Sequence, residues 1–176
     1  MKRDPKIDDN DFVLFGLPER FAIDRDELDA RWRQLQASAH PDRFAAEGAA
    51  AQRVAMQWSV RINEAHRRLR DPLGRAAYLC ELRGAPIDAQ RNTAMPAAFL
   101  MQQMGWREAL EDAHDDRTLT ALDQEVRAAE TGLHAELGVL LDEQLDAARA
   151  AERVRALMFI QRFRTDLGER IDAHPS

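Results

Sequence analysis

Apolar residues recur along this chain at intervals of three and four almost from end to end, the spacing of one face of an α-helix. Leu28, Trp32, Leu35 and Ala39 form a first stripe; Val54, Trp58, Ile62, Ala65 and Leu69 form a second, long enough to return antiparallel to the first. Asp24, with Glu27 three residues on, reads as a capping box that opens the first of these helices. Pro41 ends it, because proline lacks an N–H and pushes the residue before it out of the α region. His40-Pro41-Asp42 is therefore expected on a tight, exposed loop between two helices. Upstream, the apolar run Asp11-Phe12-Val13-Leu14-Phe15-Gly16-Leu17-Pro18 predicts a short helix or turn packed across the pair. Downstream, the second helix runs from somewhere in 45–50 to about Arg70. Pro72 suits the first position of a shorter helix reaching about Leu82, and Gly84-Ala85-Pro86 stops it.

Three more helical patterns follow, the first from about Pro96 to Ala113. The next carries Leu119, Leu122, Val126, Ala129, Leu133, Leu137 and Leu140 over six turns, the cleanest seam in the chain. The last carries Val154, Leu157, Ile160, Phe163 or Arg164, Leu167 and Ile171, a looser version of the same pattern. Short connections near 114–117 and 144–148 make these helices antiparallel neighbours, which predicts a small three-helix bundle. The heptad-like seam would also serve a coiled-coil dimer; three tandem helices can close a core within one chain, which favours a monomer. The organisation expected is all-α: a mobile polar leader over 1–10, a helical-hairpin domain over 11–83, a linker over 84–95 and the bundle over 96–176.

Composition agrees with helix. Hydrophobic residues make up 45% of the chain, with only 8 glycines and 7 prolines. The formal net charge of −6 is uneven: residues 11–80 hold 11 basic against 10 acidic side chains, and 81–176 hold 11 against 18. No basic footprint of a nucleic-acid binder is visible. The single cysteine, Cys80, excludes an internal disulfide and a thiolate zinc site, and its apolar neighbours predict a packed thiol. No signal peptide or membrane-spanning run is present, which predicts a cytoplasmic protein without membrane contact. His66, His114, His134 and His174 share no metal-ligand spacing and are expected at the surface or at helix ends.

Two groups of residues exceed what folding requires. His40 and Asp42 bracket Pro41 on a loop. An acid–base pair is the enzymatic reading, but no serine or cysteine nucleophile or second carboxylate lies nearby in sequence. On the helix beginning near Pro96, Phe99, Trp106, Leu110 and Ala113 share one side, which suffices for a core, while Leu100, Met101 and Met104 fall about 140° away by the 100° helical step. A helix apolar on two faces has surface to spare for a partner, and methionines repack against one at little cost. Phe159, about 100° off Ile160, is expected to be poorly buried. Glu108, one turn past Met104, would supply a polar rim.

The order of motifs resembles a known family. Asp11-Phe12-x-Leu14-Phe15-Gly16-Leu17-Pro18 precedes His40-Pro41-Asp42-Arg43-Phe44. Next come Ile62-Asn63-Glu64-Ala65 and Leu69-Arg70-Asp71-Pro72-Leu73-x-Arg75-Ala76-x-Tyr78-Leu79, and then Ala98-Phe99-Leu100-Met101. The helix–HPD–helix arrangement resembles a J-domain, and the whole run from residue 11 is similar to the HscB family, J-domain co-chaperones of iron–sulfur cluster assembly. The Asp-Pro-Leu-x-Arg-Ala-x-Tyr-Leu run and the Phe-Leu-Met helix carry most of that specificity.

The resemblance implies a J-domain followed by a C-terminal three-helix bundle. It also implies an adaptor that is not an enzyme, holds no cofactor or metal, and stimulates an HscA/DnaK-type ATPase while delivering an IscU-type scaffold to it. A J-domain protein for a different client is the rival. Carried onto this sequence, chaperone contact falls on His40, Pro41 and Asp42, with Arg33 and Arg43 beside them, and scaffold contact on Leu100, Met101, Met104, Glu108 and Phe159. Two positions depart from the family pattern. Ala39 stands where an aromatic usually precedes HPD, so packing under the loop should be thinner. Gly105 stands where an acidic residue is common. Arg75, Tyr78 and Trp58 are expected to join the J-domain to the bundle.

Overall fold

A computed structural model describes residues 5–173; Met1–Asp4 and His174–Ser176, including the histidine of that last segment, lie outside the described residues. Among the described residues the regular structure is entirely helical. The helices are α1 (Asp11–Phe15), α2 (Arg25–Ala39), α3 (Ala49–Arg70), α4 (Pro72–Leu82), α5 (Ala97–Asp112), α6 (Asp116–Gly138) and α7 (Ala147–Asp172). A 3-10 segment, Pro41–Glu47, joins α2 to α3, and a π turn, Val139–Glu143, follows α6. The chain divides into two compact units between Tyr78 and Leu79, inside α4 and earlier than the boundary expected at 83.

The local chemistry that sets the helix ends is plain. Asp24 Oδ1 accepts the backbone N–H groups of Asp26 and Glu27, so the cap forms. Glu27 does not complete the capping box but pairs with Arg31 one turn on. Gly16 ends α1 in the left-handed region at φ 61°, where a Cβ is costly. Asp115 caps α6 by accepting the N–H of Thr118, which with the Thr118 hydroxyl holds its carboxyl below the usual range.

In the first unit, α2 and α3 form the antiparallel hairpin and α1 packs against both. Leu28, Ile62, Ala65 and Leu69 are buried with Phe12, Leu14 and Phe15. Polar stitching runs alongside. The Trp32 indole N–H and the Gln36 amide both donate to Asn63 Oδ1, at 3.0 and 2.6 Å. His66 is not at the surface as expected: it stacks on Trp32 at 4.7 Å and sits 2.6 Å from Asp29 through Nε2. Asp11 is fully buried at the start of α1 between Arg61 and Arg68, at 2.8 and 2.9 Å. Arg75 and Tyr78 work inside this unit. Arg75 donates to the Phe21 carbonyl, and the Tyr78 hydroxyl accepts the Asp11 N–H while its ring stacks on Phe12. Residues 6–10, expected as part of a mobile leader, are fastened: Arg61 donates to the carbonyls of Ile7 and Asp9, at 3.2 and 2.8 Å.

In the second unit α5, α6 and α7 form the bundle. The α6 seam is sealed from Leu119 through Leu122, Val126, Leu133 and Leu137 to Leu140. Helix α7 is buried on several sides, from Ala150, Ala151 and Val154 to Phe163 and Leu167. The segment 84–95, expected as a linker, is tied to this unit. Buried Arg155 donates to the carbonyls of Ile87 and Ala94, at 2.9 and 3.0 Å. Cys80 is buried, and burial pushes its thiol up to about 11, so it remains protonated and inert at neutral pH.

Candidate functional sites

Helix α2 stops at Ala39 and His40 turns extended, at φ −64° and ψ 127°, as the residue before a proline must. The HPD residues therefore open the 3-10 segment. His40 Nδ1 accepts the Asp42 N–H at 3.3 Å and lies 3.5 Å from the Asp42 carboxylate. The His40 side chain is 57% exposed and that of Asp42 90% exposed. Arg43 reaches back to the Ala37 carbonyl at 3.1 Å, closing the segment onto the end of α2. Arg33 is exposed on α2, away from the hairpin core, and its charge is among those that lower the Asp29 carboxyl. Water at His40 and Asp42 screens any charge coupling between them. The pair is better placed to be touched than to move a proton.

The second candidate surface lies on α5. Phe99 and Trp106 are buried, edge to face at 5.8 Å, and the Trp106 indole donates to Glu125 on α6. With the core face so occupied, Leu100, Met101 and Met104 project outward at 39%, 71% and 55% exposure. Glu108 is exposed one turn beyond Met104. A Cβ at Gly105 would meet nothing within 4 Å, so the gap in the acidic rim is open space.

Phe159 departs from its expected exposure. Only 8% of it is accessible. Its ring stacks on Phe163 at 5.9 Å and meets Phe99 edge-on at 5.8 Å, and the Arg107 guanidinium lies over it at 5.2 Å. A helical wheel assumes one buried face, whereas α7 is covered from more than one side. Phe159 thus packs against the core side of α5 at Phe99, with Arg107 over its ring. Arg107 is the residue that sequence reasoning passed over. It stands one turn past Met104 with its charge spent on a ring face, and helical spacing to Met104 was the available signal.

Comparison with known proteins covers nearly the whole chain. Residues 95–168 match the family described as the HSCB C-terminal oligomerisation domain. A co-chaperone protein HscB homolog from Burkholderia multivorans is 53% identical over 169 residues, covering 94% of this chain and 96% of its own. Another, from Bordetella avium, is 51% identical over 160 residues, covering 90% and 95%. Chaperone HscB from Vibrio cholerae superposes with a TM-score of 0.78 at 35% identity, over 94% of this chain and 99% of that one. Human co-chaperone protein HscB shares the fold, with a TM-score of 0.85 at 24% identity over 95% and 84% of the two chains.

Proposed function

The chain belongs to the HscB family of co-chaperones, and from that premise we propose how its two exposed surfaces divide the work. The HPD loop of the J-domain, with Arg33 and Arg43, engages an HscA/DnaK-type ATPase and shifts a pre-existing equilibrium toward the hydrolysing state. The α5 surface of Leu100, Met101 and Met104, rimmed by Glu108, binds an IscU-type scaffold. The J-domain acts through 11–83 and the bundle through 96–176. Phe159 acts through the packing of α5, by its contact with Phe99. The chain makes and breaks no bond itself, works as a cytoplasmic monomer, and holds no metal; the cluster is the scaffold's cargo.

The observation that carries this reading is the exposure of three neighbouring apolar side chains on a helix whose opposite face already satisfies the bundle. Such surface on a monomer marks an interaction site. On the J-domain the corresponding observation is a histidine and an aspartate held in water at a helix end by local hydrogen bonds.

The test is steady-state ATPase stimulation, with and without the scaffold. His40→Gln should abolish stimulation while leaving the circular-dichroism spectrum unchanged. Undiminished stimulation would remove the loop from the mechanism. Retention of the chaperone without any cluster scaffold in a pull-down would instead point to a different client.

A further inference from the structure

Among the described residues, the hairpin leaves a cleft beneath the HPD loop. The cleft, of about 480 Å³, lies between α2 and α3, walled by Ala39, Phe44, Ala51, Val54, Ala55 and Trp58. The cause is visible in the residues: three alanines face the space where larger side chains would fill it. The packing changes along the hairpin accordingly. Near α1 its core residues Leu28, Ile62, Ala65 and Leu69 are sealed, whereas toward the loop Leu35, Ala39 and Trp58 are half-buried and Val54 is 53% exposed.

We propose that this cleft is a docking socket for an aliphatic side chain presented by the chaperone ATPase as it meets the HPD loop. The inference rests on reading His40–Asp42 as the chaperone-contacting segment. Continuity with that segment selects the occupant. Ala39 immediately precedes His40 and Phe44 follows Asp42 by two residues, so a body seated on the loop lies at the cleft mouth. The lining selects the chemistry. Among the described residues that line it, Glu47 carries the one charge, and the Ser38 hydroxyl is already committed to the Leu35 carbonyl. A charged or phosphorylated group would find no matching donors there. A water there would have few polar partners, and the volume falls within the range of about 300–1,000 Å³ that commonly encloses a ligand. Docking therefore separates into two parts: the HPD loop acts on turnover, and the socket contributes affinity.

Ala51→Leu fills the socket from its half-exposed wall without touching the HPD residues. Titrating the full-length variant into the chaperone ATPase assay should show maximal stimulation retained and the half-saturating concentration raised at least fivefold, with a melting temperature equal to or above wild type. A folded Ala51→Leu protein whose half-saturating concentration stays within twofold of wild type overturns the proposal, because the cleft is then only a packing defect. Should that variant fail to fold, Val54→Ser at the exposed rim makes the same prediction by weakening the apolar wall, with the same overturning result. His40→Gln is run in parallel. If it loses stimulation while both socket variants behave as wild type, the socket fails and the HPD reading stands. If it stimulates normally, both fail.

Discussion

A single aromatic on α7 shows how burial and exposure part company in the bundle. Phe159 is buried against Phe99 and Phe163 and covered by Arg107, whereas Leu100 and Met104 face water. Replacing them should therefore give different signatures. Leu100→Ala with Met104→Ala should weaken scaffold binding by about 2–4 kcal/mol if both are hot spots, with little change in urea midpoint. Phe159→Ala should cost about 3–5 kcal/mol of stability as a core truncation, read from the same denaturation curve. The positions of Leu100 and Met104 were legible because they lie opposite a stripe that already accounts for the core. Phe159 was not, because burial of α7 on several sides depends on neighbours that no single-helix pattern encodes. His66 repeats the lesson: its partners Trp32 and Asp29 lie 34 and 37 residues away in the chain and share no local spacing with it.

That histidine also ties a residue to an element, since it links α3 to α2 through Asp29. Its hydrogen bond, followed by Arg70 and Arg33, holds the Asp29 carboxyl below its usual range. A carboxyl whose folded pKa is depressed stabilises fully above its unfolded value of about 3.9 and loses that contribution as pH falls through the folded value. Asp29→Asn should therefore flatten the acid limb of hairpin stability below about pH 4, as followed by circular dichroism. The packing of α1 rests on a deeper ion pair, the buried Asp11 carboxylate between Arg61 and Arg68. Asp11→Asn leaves two guanidinium groups without their counter-charge and should lower unfolding free energy by about 3 kcal/mol, measured by urea. Element limits themselves were readable from caps and prolines. Asp24, Pro41, Pro72 and Gly84 mark four ends where backbone chemistry leaves little choice. The 3-10 form of Pro41–Glu47 and the π turn at Val139–Glu143 were not readable, since apolar spacings of three and four do not separate either turn from an α turn.

For the whole molecule, the proposed division into a chaperone-facing and a scaffold-facing half predicts two separable activities. His40→Gln should retain scaffold affinity within twofold, and Leu100→Ala with Met104→Ala should retain stimulation measured without scaffold. Loss of both activities in either variant would mean that one surface serves both partners. Motif order along the chain made the family visible, because specific runs such as Asp71-Pro72-Leu73 and Phe99-Leu100-Met101 stand in sequence with HPD. Where one unit ends and the next begins was harder to read, as glycine and proline signal a bend and not where the bent segment is anchored. The Arg155 clasp has a practical corollary for dissecting this protein. A fragment begun at Pro96 would strand a guanidinium in the interior without the Ile87 and Ala94 carbonyls it was folded around, so a bundle expressed alone should start upstream of Ile87.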